Sequence, residues 1–103
     1  MSKKLEISKV LTLSTIHIKP ETAKWIENKK NIENLAIYEK SEYGWFIFVE
    51  KDYLEELTEV VGNNIPQDLL DTMNFARLQG CEWLCLDCDG NEIDDLPSYD
   101  WRI

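Results

Sequence analysis

The chain has 103 residues, 44% hydrophobic and 11% aromatic, with 20 acidic against 11 basic side chains and a formal charge of −9. That length makes one domain around one core, and the apolar content excludes a disordered chain. A surface this negative also excludes attraction to nucleic acid or to an anionic membrane, both of which are polyanionic.

No apolar run approaches the roughly 20 residues needed to cross a bilayer. The opening Met1-Ser-Lys-Lys-Leu-Glu lacks the apolar stretch of a secretory signal, so a cytoplasmic location is expected. Three cysteines, an odd number, then point to reduced thiols. The charge is uneven. Residues 1–30 hold seven Lys against three Glu, whereas residues 31–103 hold four basic and 17 acidic groups.

Lys9 to Ile18 alternates β-branched and other residues as a strand does, with His17 inside it. Lys19-Pro20-Glu21 starts a helix, since Pro suits its first position and Glu its positive end. Ala23, Trp25 and Ile26 make this helix amphipathic, with Lys29-Lys30 at its C-terminal end. Leu35 to Lys40 is a second strand, Ser41-Glu42 a tight connection, and Tyr43 to Val49 a third strand pairing with it as a hairpin. Trp45, Ile47 and Val49 face one way, Phe46 and Phe48 the other, so this strand is expected at the centre of the sheet.

Asp52 caps a helix from Tyr53 to Val61, where Leu54, Leu57 and Val61 recur at helical spacing, and Gly62-Asn63-Asn64 ends it. Pro66 opens the longest helix, Gln67 to Gln79, with Asp68 in its first turn and Gly80 at its C-terminal cap. Leu69, Leu70, Met73 and Ala76 form its buried face, joined by Phe75. Glu82 to Asp87 is a fourth strand, Asp89-Gly90 a hairpin turn, and Asn91 to Asp94 a short returning edge strand. The expected fold is a single α+β domain over 1–103: a mainly antiparallel sheet of four to five strands with two to three helices on one face, in the order β-α-β-β-α-α-β-β.

Three motifs imitate chemistry between Cys81 and Ser98. Cys81, Cys85 and Cys88 have the C-x3-C-x2-C spacing that binds a four-iron cluster in radical S-adenosylmethionine enzymes. Strand alternation, however, sends Cys81 and Cys85 to one face and Cys88 to the other. A zinc site using His17 and two cysteines is a further possibility, set against the ordinary role of free cysteines as small buried hydrophobes. The apolar run ending in Asp87-Cys88-Asp89-Gly90 has the shape of a haloacid-dehalogenase nucleophile motif, but only 13 residues follow Gly90. Asp87, Asp89, Asn91 and Asp94 imitate a calcium loop with its glycine and terminal carboxylate misplaced. A buried strand, a turn and an acidic solvent edge account for all three.

The rest of the inventory is poor in catalysts. His17 reads as structural, Ser14 and Thr15 form no nucleophile arrangement, and no phosphate-binding glycine loop exists. The carboxylate pairs Glu55/Glu59 and Asp68/Asp71 are expected on solvated helix faces. No catalytic residue, metal ligand or cofactor is assigned, and the chain is expected not to be an enzyme.

The acidic, aromatic C-terminal stretch remains as a partner-binding surface, made of Asp87, Asp89, Glu92, Asp94, Asp95, Tyr99, Asp100 and Trp101. Its carboxylates would imitate phosphate spacing, and its aromatics would anchor in a pocket. Trp101 has an alternative role, folding back to close the core.

The strand Leu13 to Ile18 (L-S-T-x-H-I), the run Tyr38 to Val49 (Y-E-K-S-E-Y-G-W-F-I-F-V) and the segment Gly80 to Trp101 together resemble a family of small acidic bacterial proteins of unknown function. That resemblance implies carriage on plasmids, integrated elements and phages, and brings no catalytic residues with it. By analogy with small acidic proteins of such elements, the chain is expected to be a non-enzymatic inhibitor. Its partner would be a basic nucleic-acid-handling protein, with a CRISPR-Cas nuclease as the type, and guide or target binding would be blocked. The alternatives are an antitoxin-like or homodimeric accessory module, in which the Tyr43–Val49 faces matter most, and a metal-dependent enzyme.

Overall fold

The structure is a computed structural model and describes residues 5–29, 36–40, 44–49 and 65–101. The expected helix at 53–61, its Gly62-Asn63-Asn64 end, Glu55/Glu59 and the Ser41-Glu42 connection lie outside them. Among the described residues, four strands form one sheet: β1 (Val10–Ser14), β2 (Ile37–Lys40), β3 (Gly44–Phe48) and β4 (Trp83–Asp87), in the order β1-β4-β3-β2. β2 and β3 pair antiparallel, as do β3 and β4, while β4 runs parallel to β1. The fold is a small α+β domain with a mixed, mainly antiparallel sheet.

Register assigns the faces. Leu11 and Leu13 stand opposite Leu84 and Leu86, which in turn oppose Ile47 and Trp45. This side packs under α1 (Pro20–Lys29) and α2 (Gln67–Leu78), and one buried cluster joins it to Ala23, Ile26, Leu69, Met73 and Ala76. Both helices therefore share a face, and each fully buried aliphatic side chain there adds roughly 1.5–3 kcal/mol. The opposite face carries Val10, Tyr38, Phe46, Phe48 and Trp83. Trp83 meets Phe48 edge-on at 5.0 Å between ring centroids, and Tyr38 at 5.9 Å.

The helix ends follow from local chemistry. At the end of α2, Gly80 has φ of +82°, which only glycine adopts readily, and its N–H donates to Arg77 O. The Cys81 N–H donates to Ala76 O, completing a Schellman cap. α1 has no capping side chain of its own at its start. Asp68 of α2 supplies one: its Oδ2 accepts from the Lys19 N–H at 2.7 Å and from the Thr22 hydroxyl at 2.6 Å.

Four expectations change. The first strand ends at Ser14, and Thr15–His17 forms a 3₁₀ turn, because the Ser14 hydroxyl accepts from the Ile16 N–H and turns the chain. His17 is thus not mid-strand. The centre of the sheet is shared by β3 and β4, not held by β3 alone. No returning strand follows Asp89-Gly90 among the described residues, because β4 already has β1 on one side and β3 on the other. The chain instead crosses the end of β1, where Asn91 O accepts from the Ser14 N–H at 2.9 Å. Gly90 fits that crossing because a Cβ there would lie 2.6 Å from the Leu13 carbonyl. Finally, Asp68 is not on a solvated helix face. It is 8% exposed, while Asp71 is exposed as expected.

Candidate functional site

Residues 88–101 form an irregular strap laid over the turn between β1 and α1. Besides Ser14–Asn91, four bonds hold it. The Ile93 N–H donates to His17 Nε2 at 3.0 Å, and His17 Nδ1 lies 2.8 Å from Pro97 O. Nε2 therefore accepts and Nδ1 donates, so two backbone groups orient the ring. The Tyr99 N–H donates to Ile16 O and the Trp101 indole N–H to Ile18 O, each at 2.9 Å. Ile93 and Leu96 pack against the core from beneath. All five partners fall within residues 14–18, so an unpatterned segment is fixed in shape.

The strap turns its carboxylates outward. Asp89, Glu92, Asp94, Asp95 and Asp100 are exposed. Tyr99 is half-buried, with the Lys19 ammonium 5.6 Å from its ring centroid. Trp101 is 37% exposed, and its indole N–H reaches back to Ile18 O without joining the buried core.

Asp87 leaves this acidic group. It lies at the end of β4 on the open sheet face, only 8% exposed, and forms an ion pair with Lys40 of β2. Its other oxygen accepts from the Asp89 N–H at 2.9 Å. The Lys40 contact first, and the Asp89 N–H second, hold the Asp87 carboxyl below its ordinary value of 3.8. Reciprocally, the Asp87 contact raises the Lys40 ammonium above 10.5.

The three cysteines are free and lie in different surroundings. Cys81 precedes β4, so strand alternation does not reach it. It packs against the helix-side core, whereas Cys85 sits opposite Thr12 and Phe46 on the other face. The expectation that these two share a face is thereby corrected. Burial raises the Cys85 thiol above its ordinary value of 9.0, which keeps it protonated and weakly nucleophilic at neutral pH. Cys88 is exposed, and its Sγ lies within 4.8 Å of the Asp87 and Asp89 carboxylates. A cation there would compete with Lys40 for Asp87. Both nitrogens of His17 are engaged by backbone, which leaves it no lone pair for zinc.

Among the described residues, an open mixed sheet under two helices, with a pinned acidic strap, is the class of molecule this geometry defines. Residues 10–101 match the family of unknown function DUF5983, at its C-terminal domain, and the chain belongs to that family. No curated protein and no solved structure matches it significantly. Among the described residues, no helix is long and apolar enough to cross a membrane.

Proposed function

We propose that the chain is a non-enzymatic inhibitor that binds a basic nucleic-acid-handling protein through the strap and so blocks guide or target nucleic acid. A CRISPR-Cas nuclease carried by a bacterial host is the type of partner, and a mobile element the type of source. The observation that carries this reading is the pinned strap. Its outward carboxylates at Asp89, Glu92, Asp94, Asp95 and Asp100 stand on a backbone that is fixed before any partner arrives. Binding would not have to order the backbone of a flexible acidic tail, a cost of about 1–2 kcal/mol per residue. Charge of one sign on a fixed surface also speeds encounter with a surface of the other sign. Tyr99 and Trp101 contribute their exposed edges, and Asp87 contributes nothing directly.

Capture of host proteins on the immobilised chain, followed by competition with nucleic acid on the protein recovered, tests the reading. Affinity should fall steeply with salt, and nucleic acid should displace the chain. Charge reversal at Asp94, Asp95 and Asp100 together should abolish inhibition while leaving the fold intact. Salt-insensitive binding, or full inhibition by that variant, removes the proposal.

One observation favours a second reading, the homodimeric or antitoxin-like accessory module. Val10 and Tyr38 on the open sheet face are 47% and 59% exposed beside Phe46, Phe48 and Trp83. Light scattering decides: a stable dimer disrupted by Tyr38→Glu supports this reading over the first.

A further inference from the structure

Beside the strap, a cleft of about 540 Å³ opens between the starting ends of α1 and α2. Its size falls within the roughly 300–1,000 Å³ of ligand sites. Trp25 and Tyr99 are its aromatic walls, and Glu21, Asp68 and Asp71 bring carboxylates to it, with Lys19 as the one cation among the described residues. We propose that this cleft receives an arginine side chain of the basic partner. The inference rests on the proposed function and names the contact that would anchor it.

Three observations favour a guanidinium. The formal charge of the lining is −2, from Glu21, Asp68 and Asp71 against Lys19. The two helix N-termini oppose this with roughly half a positive charge each, so about one negative charge remains to attract a cation. Next, the Tyr99 ring already takes a cation, the ammonium of Lys19 at 5.6 Å. Finally, Tyr99 belongs to the strap and is pinned by its N–H to Ile16 O, so the cleft and the acidic surface form one continuous face.

The roles of the carboxylates differ. Asp68 is spent on Lys19 N–H and the Thr22 hydroxyl and shapes the cleft from behind. Asp71, oriented by the Gln67 amide at 2.8 Å, and the exposed Glu21 stand at the mouth. A planar guanidinium can stack on an aromatic face and meet a carboxylate through two parallel N–H groups at once. An ammonium cannot do both.

The test is an NMR titration of the whole chain with Nα-acetyl-arginine amide, using the citrulline counterpart as a neutral control of the same shape. The arginine probe should give saturable shifts at the Trp25 indole N–H and at the Thr22 and Tyr99 amides, and citrulline should give none. Glu21→Gln with Asp71→Asn should weaken binding about tenfold, and Lys19→Gln, which removes the resident cation, should strengthen it. Equal shifts from citrulline, or an unchanged affinity in the Glu21/Asp71 variant, overturn the proposal. The strap reading is separable. Asp94→Lys with Asp95→Lys should abolish partner capture yet leave the arginine titration at Trp25 within about twofold, since neither residue lines the cleft. Partner capture that survives in this variant, alongside a saturable titration, fails the strap and keeps the cleft.

Discussion

β4 and the strap are neighbours in sequence and opposites in environment. From Leu84 to Asp87 every residue is buried, whereas Cys88, Asp89, Glu92, Asp94, Asp95 and Asp100 beyond it are exposed. β4 is ordered by two neighbouring strands and by α2, and the strap by five hydrogen bonds to residues 14–18. The motifs that imitate metal and phosphate chemistry straddle this border, with one part in the core and the other in solvent. The border scatters Cys81, Cys85 and Cys88 among different surroundings, whereas the Asp87 and Asp89 carboxylates and the Cys88 thiol still meet across it within 4.8 Å. The border also explains how Asp87 and Asp89, two positions apart, come to differ: one is paired on the sheet and the other faces water.

Breaking the buried side should have the largest effect. Leu86→Ala removes a side chain with no exposure from between Leu13 and Trp45. It is expected to cost about 2–5 kcal/mol in chemical denaturation, and to loosen strap and sheet together. His17→Ala should separate the two regions. It leaves Pro97 O and the Ile93 N–H without their partner, for a loss of about 1–3 kcal/mol. Hydrogen exchange should then accelerate at Ile93 and Tyr99 while the amides of β4 stay protected. Equal acceleration in both regions would mean that the strap is not a separate unit.

Smaller effects sharpen the border. Because the Asp87 carboxyl is held below 3.8, the stability it gains from Lys40 is present at neutral pH and is lost only as pH falls past that value. Lys40, raised above 10.5, keeps its side of the pair until strongly alkaline pH. Asp87→Asn should therefore flatten the acid limb of the stability profile and leave the shape between pH 5 and 9 unchanged. The weakest effect is expected at Asp94→Asn with Asp95→Asn. Both side chains are exposed, so thermal stability should move by no more than about 0.5 kcal/mol.

Much of the framework was legible because it is written locally. Pro20 and Pro66 mark helix starts, Gly80 marks the end of α2, and the alternation of residues 37–40 and 44–48 gives the hairpin. What was not legible depends on distant pairing. The parallel contact of β1 with β4 joins Val10 to Trp83, and no local pattern announces it. Asp87 could not be separated from the exposed acids without knowing that Lys40, 47 positions away, would meet it. Asp68 was hidden in the same way by Thr22, 46 positions away. A local signal did exist for the 3₁₀ turn. Ser14 can bond the backbone two residues on, but the β-branched Thr15 and Ile16 prolong the strand pattern past it. Of the acidic surface, its location was legible and its rigidity was not, since five bonds to residues 14–18 supply it.

The strand order also sets a timetable for synthesis. β1 is made first, but the neighbour it pairs with, β4, follows 73 residues later. At about 5–20 residues per second, a nascent chain holds Val-Leu-Thr-Leu-Ser unpaired for roughly 4–15 s before β4 exists. The β2–β3 hairpin can form in that interval, and the sheet then closes from its middle outward once β4 enters. A ribosome stalled after β3 has emerged but before Trp83 is made would therefore present a hairpin and an unmatched apolar strand, a substrate for chaperones rather than a folding domain.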